Sequence, residues 1–263
     1  MSDQDETSAR VPIRKEPPRF RRVSVQHIES LTPRMRRFVL GGPELDGLVI
    51  DEPASSVRLL IPPTVGADLE MPTWTGNQFE LASGERAPIR TFTPRFLDTD
   101  AHELTIDVVV HDGGAASDWA AAASPGDEVA VSGPGRGYEV DTDATSYLVA
   151  GDETAIPAMG QLLEALPDTT PVRVIVEVVT PDAELELPPH PNADVSWHVN
   201  GDDAPGAALV DEVTGIDDMP PVVWVAGEAA AVQKIRKHLF DERGMSRSDA
   251  TVRGYWKHGR SAT

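Results

Sequence analysis

Arg90-Thr91-Phe92-Thr93-Pro94-Arg95, followed by an alternating strand and then by Gly113-Gly114-Ala115-Ala116-Ser117-Asp118-Trp119, is the stretch that decides how the chain is read. An arginine, an aromatic ring and a hydroxyl close together on one strand suit a flavin. The cation can pair with the pyrophosphate, the ring can pack on the isoalloxazine, and the hydroxyl can approach its reactive edge. The second segment sets small residues where a helix should begin, with Ser117 as the expected cap. That end of a helix is an anion site. Together the two segments predict a flavin-binding barrel and redox chemistry.

Outward from this stretch the pattern is that of a small antiparallel barrel. Arg21 to Val25, Arg36 to Leu40, Val57 to Ile61, Leu104 to Val110 and Glu128 to Val131 read as short strands divided by Gly and Pro turns. Residues Pro62 to Pro88 show little periodicity and read as a long loop or irregular hairpin. After Asp141 the rhythm changes. Strands at Tyr147–Ala150, Val172–Val179, Val195–Val199 and Val222–Ala226 alternate with helices at about Ile156–Leu166 and Glu228–Glu242, which predicts a parallel α/β sheet. The expected organisation is a lead-in without order over residues 1–18, a flavin-binding antiparallel β-barrel over 19–140, and a parallel α/β domain over 141–263.

Composition narrows the chemistry. The chain has 263 residues and a formal net charge of -20, and Lys15, Lys234, Lys237 and Lys257 are its only lysines. So acidic a body repels nucleic-acid backbones and anionic membranes. It contains no cysteine, which excludes disulfides, thiolate metal sites, cysteine nucleophiles and cysteine-ligated clusters. The seven histidines lack metal-ligand spacing, so no protein metal site is expected. The N-terminus carries no signal-peptide pattern and no apolar run is long enough to span a bilayer, so the expectation is a cytoplasmic monomer.

Further blocks join the opening one. They are Val57-Arg58-Leu59-Leu60, Pro125-Gly126-Asp127, Gly133-Pro134-Gly135-Arg136-Gly137, Ala150-Gly151-Asp152-Glu153-Thr154-Ala155-Ile156-Pro157, Trp224-Val225-Ala226-Gly227-Glu228 and Gly254-Tyr255-Trp256-Lys257-His258-Gly259. In this order and spacing the chain resembles the siderophore-interacting proteins, FAD-dependent ferric-siderophore reductases within the ferredoxin-reductase-like flavoproteins. The resemblance implies that Arg90, Thr91, Phe92 and Thr93 contact FAD, with Phe92 on the flavin. It also implies that His111, Gly114, Ala116, Ser117 and Trp119 line the ring and pyrophosphate. The family usually has tyrosine where Phe92 stands, so stacking is kept and one hydroxyl is lost.

Asp152, Thr154 and Ala155 end the first parallel strand, where such sheets bind ligands. There the resemblance places a nicotinamide cofactor, which implies an FAD-binding domain over 19–140 and an NAD(P)H-binding domain over 141–263 with its C-terminal tail over the cleft. The acidic Thr180-Pro181-Asp182-Ala183-Glu184 after the second strand favours NADH over NADPH. Arg58, Arg136 and Lys257 are the implied substrate contacts, a basic pocket for an anionic ferric siderophore. The implied activity is NAD(P)H-dependent reduction of a ferric siderophore through FAD, with no protein acid or base required. Two alternatives stand beside it: a flavin reductase of the same fold with another acceptor, and a non-catalytic siderophore-binding protein.

Overall fold

The computed structural model describes residues 17, 19–111 and 113–259. The expected lead-in over 1–18 falls outside the described residues except at Pro17. The N-terminal domain is a seven-stranded sheet ordered β6-β3-β9-β1-β2-β8-β7. Its strands are β1 (Arg21–Thr32), β2 (Met35–Gly41), β3 (Val57–Leu60), β6 (Ile89–Phe92), β7 (Pro94–Asp98), β8 (Glu103–Val109) and β9 (Glu128–Ser132). All its pairings are antiparallel. The sheet curls into an open barrel around Val25, Phe38, Leu40, Leu59, Ile106 and Val129. Its two edges, β6 and β7, follow one another in the chain, and the chain turns between them at Thr93. Helix α1 (Ala115–Ala122) plugs one end, where Trp119 stacks on Phe38 with ring centroids 4.8 Å apart. The 62–88 region, patternless in sequence, forms a small hairpin of β4 (Thr73–Trp74) and β5 (Phe79–Glu80). It brings Leu69, Leu81 and Ala87 against Leu60 and Ala130, on the outer face of the barrel sheet.

The C-terminal domain is a five-stranded parallel sheet ordered β12-β11-β10-β13-β14. Its strands are β10 (Tyr147–Asp152), β11 (Val172–Val178), β12 (Ala193–Val199), β13 (Val222–Glu228) and β14 (Ala250–Trp256). Alternation fixes both faces. Tyr147, Val149, Val174, Val176 and Trp224 pack on α2 (Ile156–Ala165), while Leu148, Ile175, Val223 and Val225 pack on α3 (Ala207–Thr214) and α4 (Ala229–Lys237). Helix α3 and strand β14 were not anticipated from sequence. Both are short and only partly apolar, so their periodicity is weak. The expected Glu228–Glu242 helix is α4 followed by a wider π-helical turn at His238–Glu242.

The two domains share apolar and polar contacts. Met35 and Ala54 from the barrel side pack into the same buried cluster as α2. Gln161 on α2 donates to the Pro94 carbonyl at 2.6 Å and accepts from the Ala54 amide at 2.9 Å. Arg95 on β7 makes two bonds to Glu164 on α2, and Arg253 on β14 donates to the carbonyls of Ala54 and Gly137. No helix among the described residues is long and apolar enough to cross a membrane.

Order β12-β11-β10-β13-β14 places the reversal of winding between β10 and β13, and ligands of such sheets bind at the carboxyl ends there. Gly151 makes that reversal possible. A Cβ at this position would lie 2.4 Å from the Ala226 carbonyl oxygen and 2.6 Å from the Ala155 Cβ. Neither obstacle is a flexible side chain. Gly151→Ala should therefore force β10 and β13 apart, at a cost of about 3 kcal/mol or more. Thermal unfolding followed by far-UV circular dichroism checks this, and an unchanged midpoint contradicts it.

Candidate active site

Strand β6 carries the flavin-type residues, and its pleat divides them. Arg58 pairs with Thr91, Leu59 with Arg90 and Val57 with Phe92. Arg90 and Phe92 thus share the face of Val57 and Leu59, and Phe92 packs in part on the barrel core. Thr91 points to the other face and is exposed, beside Arg58 and Ser132. Thr93, just past the strand, is buried and lies close to the side chain of Tyr255 on β14. That contact joins the end of the flavin-type strand to the carboxyl edge of the parallel sheet.

Helix α1 follows β8, a strand that contacts both β6 and the Glu153–Ala155 turn. Its N-cap is Gly114, at φ 109°, preceded by Gly113 at φ 77°. Positive φ at both glycines lets the chain enter the helix three residues before Ser117. Ser117 is consequently not the cap. It is buried, accepts from the His111 amide at 3.2 Å, and holds the loop between β8 and α1. Trp119 faces inward, 5% exposed, as part of the barrel core. His111 is exposed, while Gly114 and Ala116 are half-buried at the first turn. Arg90 is half-buried and its pKa is lowered, chiefly by burial and then by the charge of Arg86. A cationic, partly desolvated guanidinium and a helix entered through glycines both favour an incoming anion. These residues fit the pyrophosphate of a flavin dinucleotide.

The carboxyl edge of the parallel sheet has the opposite character. Asp152, at the end of β10, is 6% exposed and accepts four hydrogen bonds. Oδ1 takes the Thr154 amide at 3.0 Å and the Thr154 hydroxyl at 2.5 Å. Oδ2 takes the Glu228 amide at 2.8 Å and the Trp256 indole Nε1 at 2.7 Å. Asp152 and Thr154 therefore bond each other and the ends of β13 and β14. Ala155 is fully buried against α2, in the same cluster as Met159. Burial raises the Asp152 pKa, while the bonds from Thr154, Trp256 and Glu228 oppose the rise.

Three further carboxylates at this edge escaped the sequence reading as functional groups. Glu228 caps α4 through the amides of Ala230 and Ala231, and its other oxygen accepts the His258 amide at 3.1 Å. Glu177, on β11, reaches the first turn of α3 and accepts from the amides of Gly206 at 2.6 Å and Leu209 at 2.8 Å. Glu153 takes Arg34 of the β1–β2 turn and the Val179 amide. The available signal was a lone acid inside apolar strand sequences such as Val174-Ile175-Val176-Glu177-Val178, because a buried charge must have partners.

The substrate-type cations lie around the same junction. Arg58 is half-buried on β3, and Gly135 in the Arg136 loop bonds the Ser56 carbonyl just before that strand. Lys257 follows Trp256 and is exposed. Among the described residues no ion pair or hydrogen bond takes up Arg58, Arg136 or Lys257, in a chain where Arg34, Arg37 and Arg95 are all paired with acids.

Asp152→Asn keeps the shape but turns one acceptor into a donor facing N–H groups. The cost is about 2–4 kcal/mol, or on the order of 5–10 °C in Tm. Because burial raises the Asp152 pKa, the folded state binds this proton more tightly than the unfolded chain. The group therefore favours folding increasingly as pH falls through the folded pKa toward the ordinary carboxylate value of about 4. The wild-type margin over Asp152→Asn should widen across that window in denaturant titrations. A margin that narrows contradicts the assignment.

Two family models match the chain. The siderophore-interacting FAD-binding domain matches residues 24–138 and the siderophore-interacting protein model matches residues 144–259. An uncharacterized protein of Mycobacterium tuberculosis is 35% identical over 259 residues, covering 92% of this chain and 90% of that one. The NADPH-dependent ferric-chelate reductase of Escherichia coli is 30% identical over 241 residues, covering 90% and 93%. Among solved structures, a siderophore utilization protein from T. fusca superposes with a TM-score of 0.82 at 35% identity, covering 96% of this chain and 98% of that one. Phthalate dioxygenase reductase shares the fold at a TM-score of 0.60 and 18% identity, covering 93% of this chain and 70% of that one. An open antiparallel barrel with a flavin-type strand, joined to a parallel sheet of this order and matched along both halves, belongs to the siderophore-interacting protein family.

Proposed function

We propose that the protein reduces ferric siderophores with electrons from a nicotinamide dinucleotide, through FAD held by the barrel domain. The observation that carries this reading is the Thr93–Tyr255 contact. It brings the end of the flavin-type strand to Tyr255 on β14, whose neighbour Trp256 is bonded to Asp152 at the end of β10. The names of two relatives, the ferric-chelate reductase of E. coli and the ferric vibriobactin reductase of Vibrio cholerae, support it.

Arg90 and the first turn of α1, at Gly114 and Ala116, hold the pyrophosphate. Phe92 presents its ring to the flavin, and Thr93 supplies the hydroxyl nearest the reactive edge. Held by these residues, FAD would supply two-electron uptake from a nicotinamide and one-electron delivery to ferric iron. Asp152 and Thr154 position the end of β10 and the Trp256 indole, so their role toward the nicotinamide is to shape its floor. Arg58, Arg136 and Lys257 offer uncompensated positive charge to an anionic chelate on a body whose net charge is -20. No protein group needs to give or take a proton in the iron step.

Anaerobic mixing tests the whole reading. Dinucleotide should bleach the visible absorbance of the FAD-loaded protein, and a ferric siderophore should restore it. Restoration by quinone or free flavin but not by the siderophore would instead support a flavin reductase with another acceptor. Flavin that no dinucleotide reduces would support a binding protein. Arg90→Ala should weaken FAD about 10- to 100-fold, the worth of a charge-assisted hydrogen bond, in a fluorescence titration. Replacing Arg58, Arg136 and Lys257 together by glutamine should raise KM for an anionic ferric chelate about tenfold or more. The KM for a cationic chelate should move far less, and equal shifts would refute the electrostatic role.

A further inference from the structure

The loops that follow β11 and β12 begin side by side. The Asn200 amide donates to the Val178 carbonyl at 2.8 Å, and the Gly201 amide to the Val179 carbonyl at 3.2 Å. In a sheet of this order the adenosine end of a dinucleotide lies at this corner. The first loop carries Asp182 and Glu184, and the second carries Asp202 and Asp203, all four exposed. Neither loop contains lysine or arginine. Arg173 stands at the opposite end of β11, and Arg34, a cation tied to this corner, is already paired with Glu153.

A phosphate monoester can also be held by backbone amides at a helix N-terminus. Here that option is closed as well. The first turn of α3, which the second loop enters, already gives its Gly206 and Leu209 amides to the buried carboxylate of Glu177. What the corner does offer is acceptors. They are the four exposed carboxylates and the Asn200 Oδ1, which is buried at the end of β12 and has no hydrogen-bond partner. Acceptors suit a ribose diol, whose hydroxyls donate, and reject a dianionic phosphate.

We infer that Asp182, Glu184, Asp202 and Asp203 make this reductase selective for NADH, by excluding the 2′-phosphate of NADPH. The inference rests on the nicotinamide part of the proposed function. It sets this chain apart from the E. coli relative, whose name specifies NADPH.

The test uses FAD-loaded protein and two probes that differ only in the 2′-phosphate: adenosine 5′-monophosphate and adenosine 2′,5′-bisphosphate. Calorimetric titration should show the monophosphate binding at least about tenfold more tightly, since the carboxylates repel the added 2′-phosphate. Asp182→Arg and Asp203→Arg, both at exposed positions, should each shift that ratio toward the bisphosphate by about tenfold. The kcat/KM ratio of NADPH to NADH should move in parallel, with melting curves confirming that the variants fold. Equal or tighter binding of the bisphosphate by wild type, or a ratio indifferent to both arginines, overturns the inference. If neither probe binds, the inference fails too. Dithionite-reduced protein challenged with ferric siderophore then shows separately whether the reductase reading survives.

Discussion

The carboxylate of Asp152 is the constraint on which the functional junction depends. Four donors from the Thr154 turn, the end of β13 and the end of β14 converge on its two oxygens. A charge so completely buried would be expelled unless every lone pair had a partner. Its partners fix the separation of β10 from β13, where the winding of the sheet reverses. They also fix the path of Tyr255 and Trp256, and Tyr255 in turn lies close to Thr93 at the end of β6. Gly227 belongs to the same arrangement, since a Cβ there would lie 2.7 Å from Asp152 Oδ2.

Around that junction the two domains treat negative charge in opposite ways. In the barrel domain α1 is entered through glycines and has a half-buried arginine nearby, a setting made for a ligand's anion. In the parallel domain the corresponding amides are already bonded to the protein's own acids: Glu177 at α3, Glu228 at α4 and Asp152 at the Glu153–Ala155 turn. Under the proposed function the pyrophosphate grip therefore falls to the barrel domain.

Much of this was legible in the sequence. The parallel strands were visible because burial on both faces leaves nearly continuous apolar runs, as in Tyr147–Ala150 and Val222–Ala226. The barrel strands were visible from alternation and Gly or Pro turns. Strand β14 was hidden because Arg253 and Gly254 break its apolar pattern; its place comes from parallel pairing with β13 and from the Trp256 bond to Asp152. Ser117 was misread as a cap because a serine before a helical run is the usual signal, whereas positive φ at Gly113 and Gly114 starts the helix earlier. The split of Thr91 from Arg90 and Phe92 follows from the period of two along β6, a feature that motif reading passes over. Long-range carboxylate-to-amide bonds such as Glu177 to Gly206 have no local signature beyond a lone acid in an apolar strand.

The proposed function puts the pyrophosphate site at Arg90 and the first turn of α1. A crystal structure of the protein with FAD tests it most directly. The account predicts pyrophosphate oxygens within hydrogen-bond distance of the Arg90 guanidinium and the α1 first-turn amides, with the isoalloxazine against Phe92 and Thr93. A pyrophosphate seated instead at the carboxyl ends of β10 and β13, against the Asp152 and Glu228 carboxylates, would contradict it.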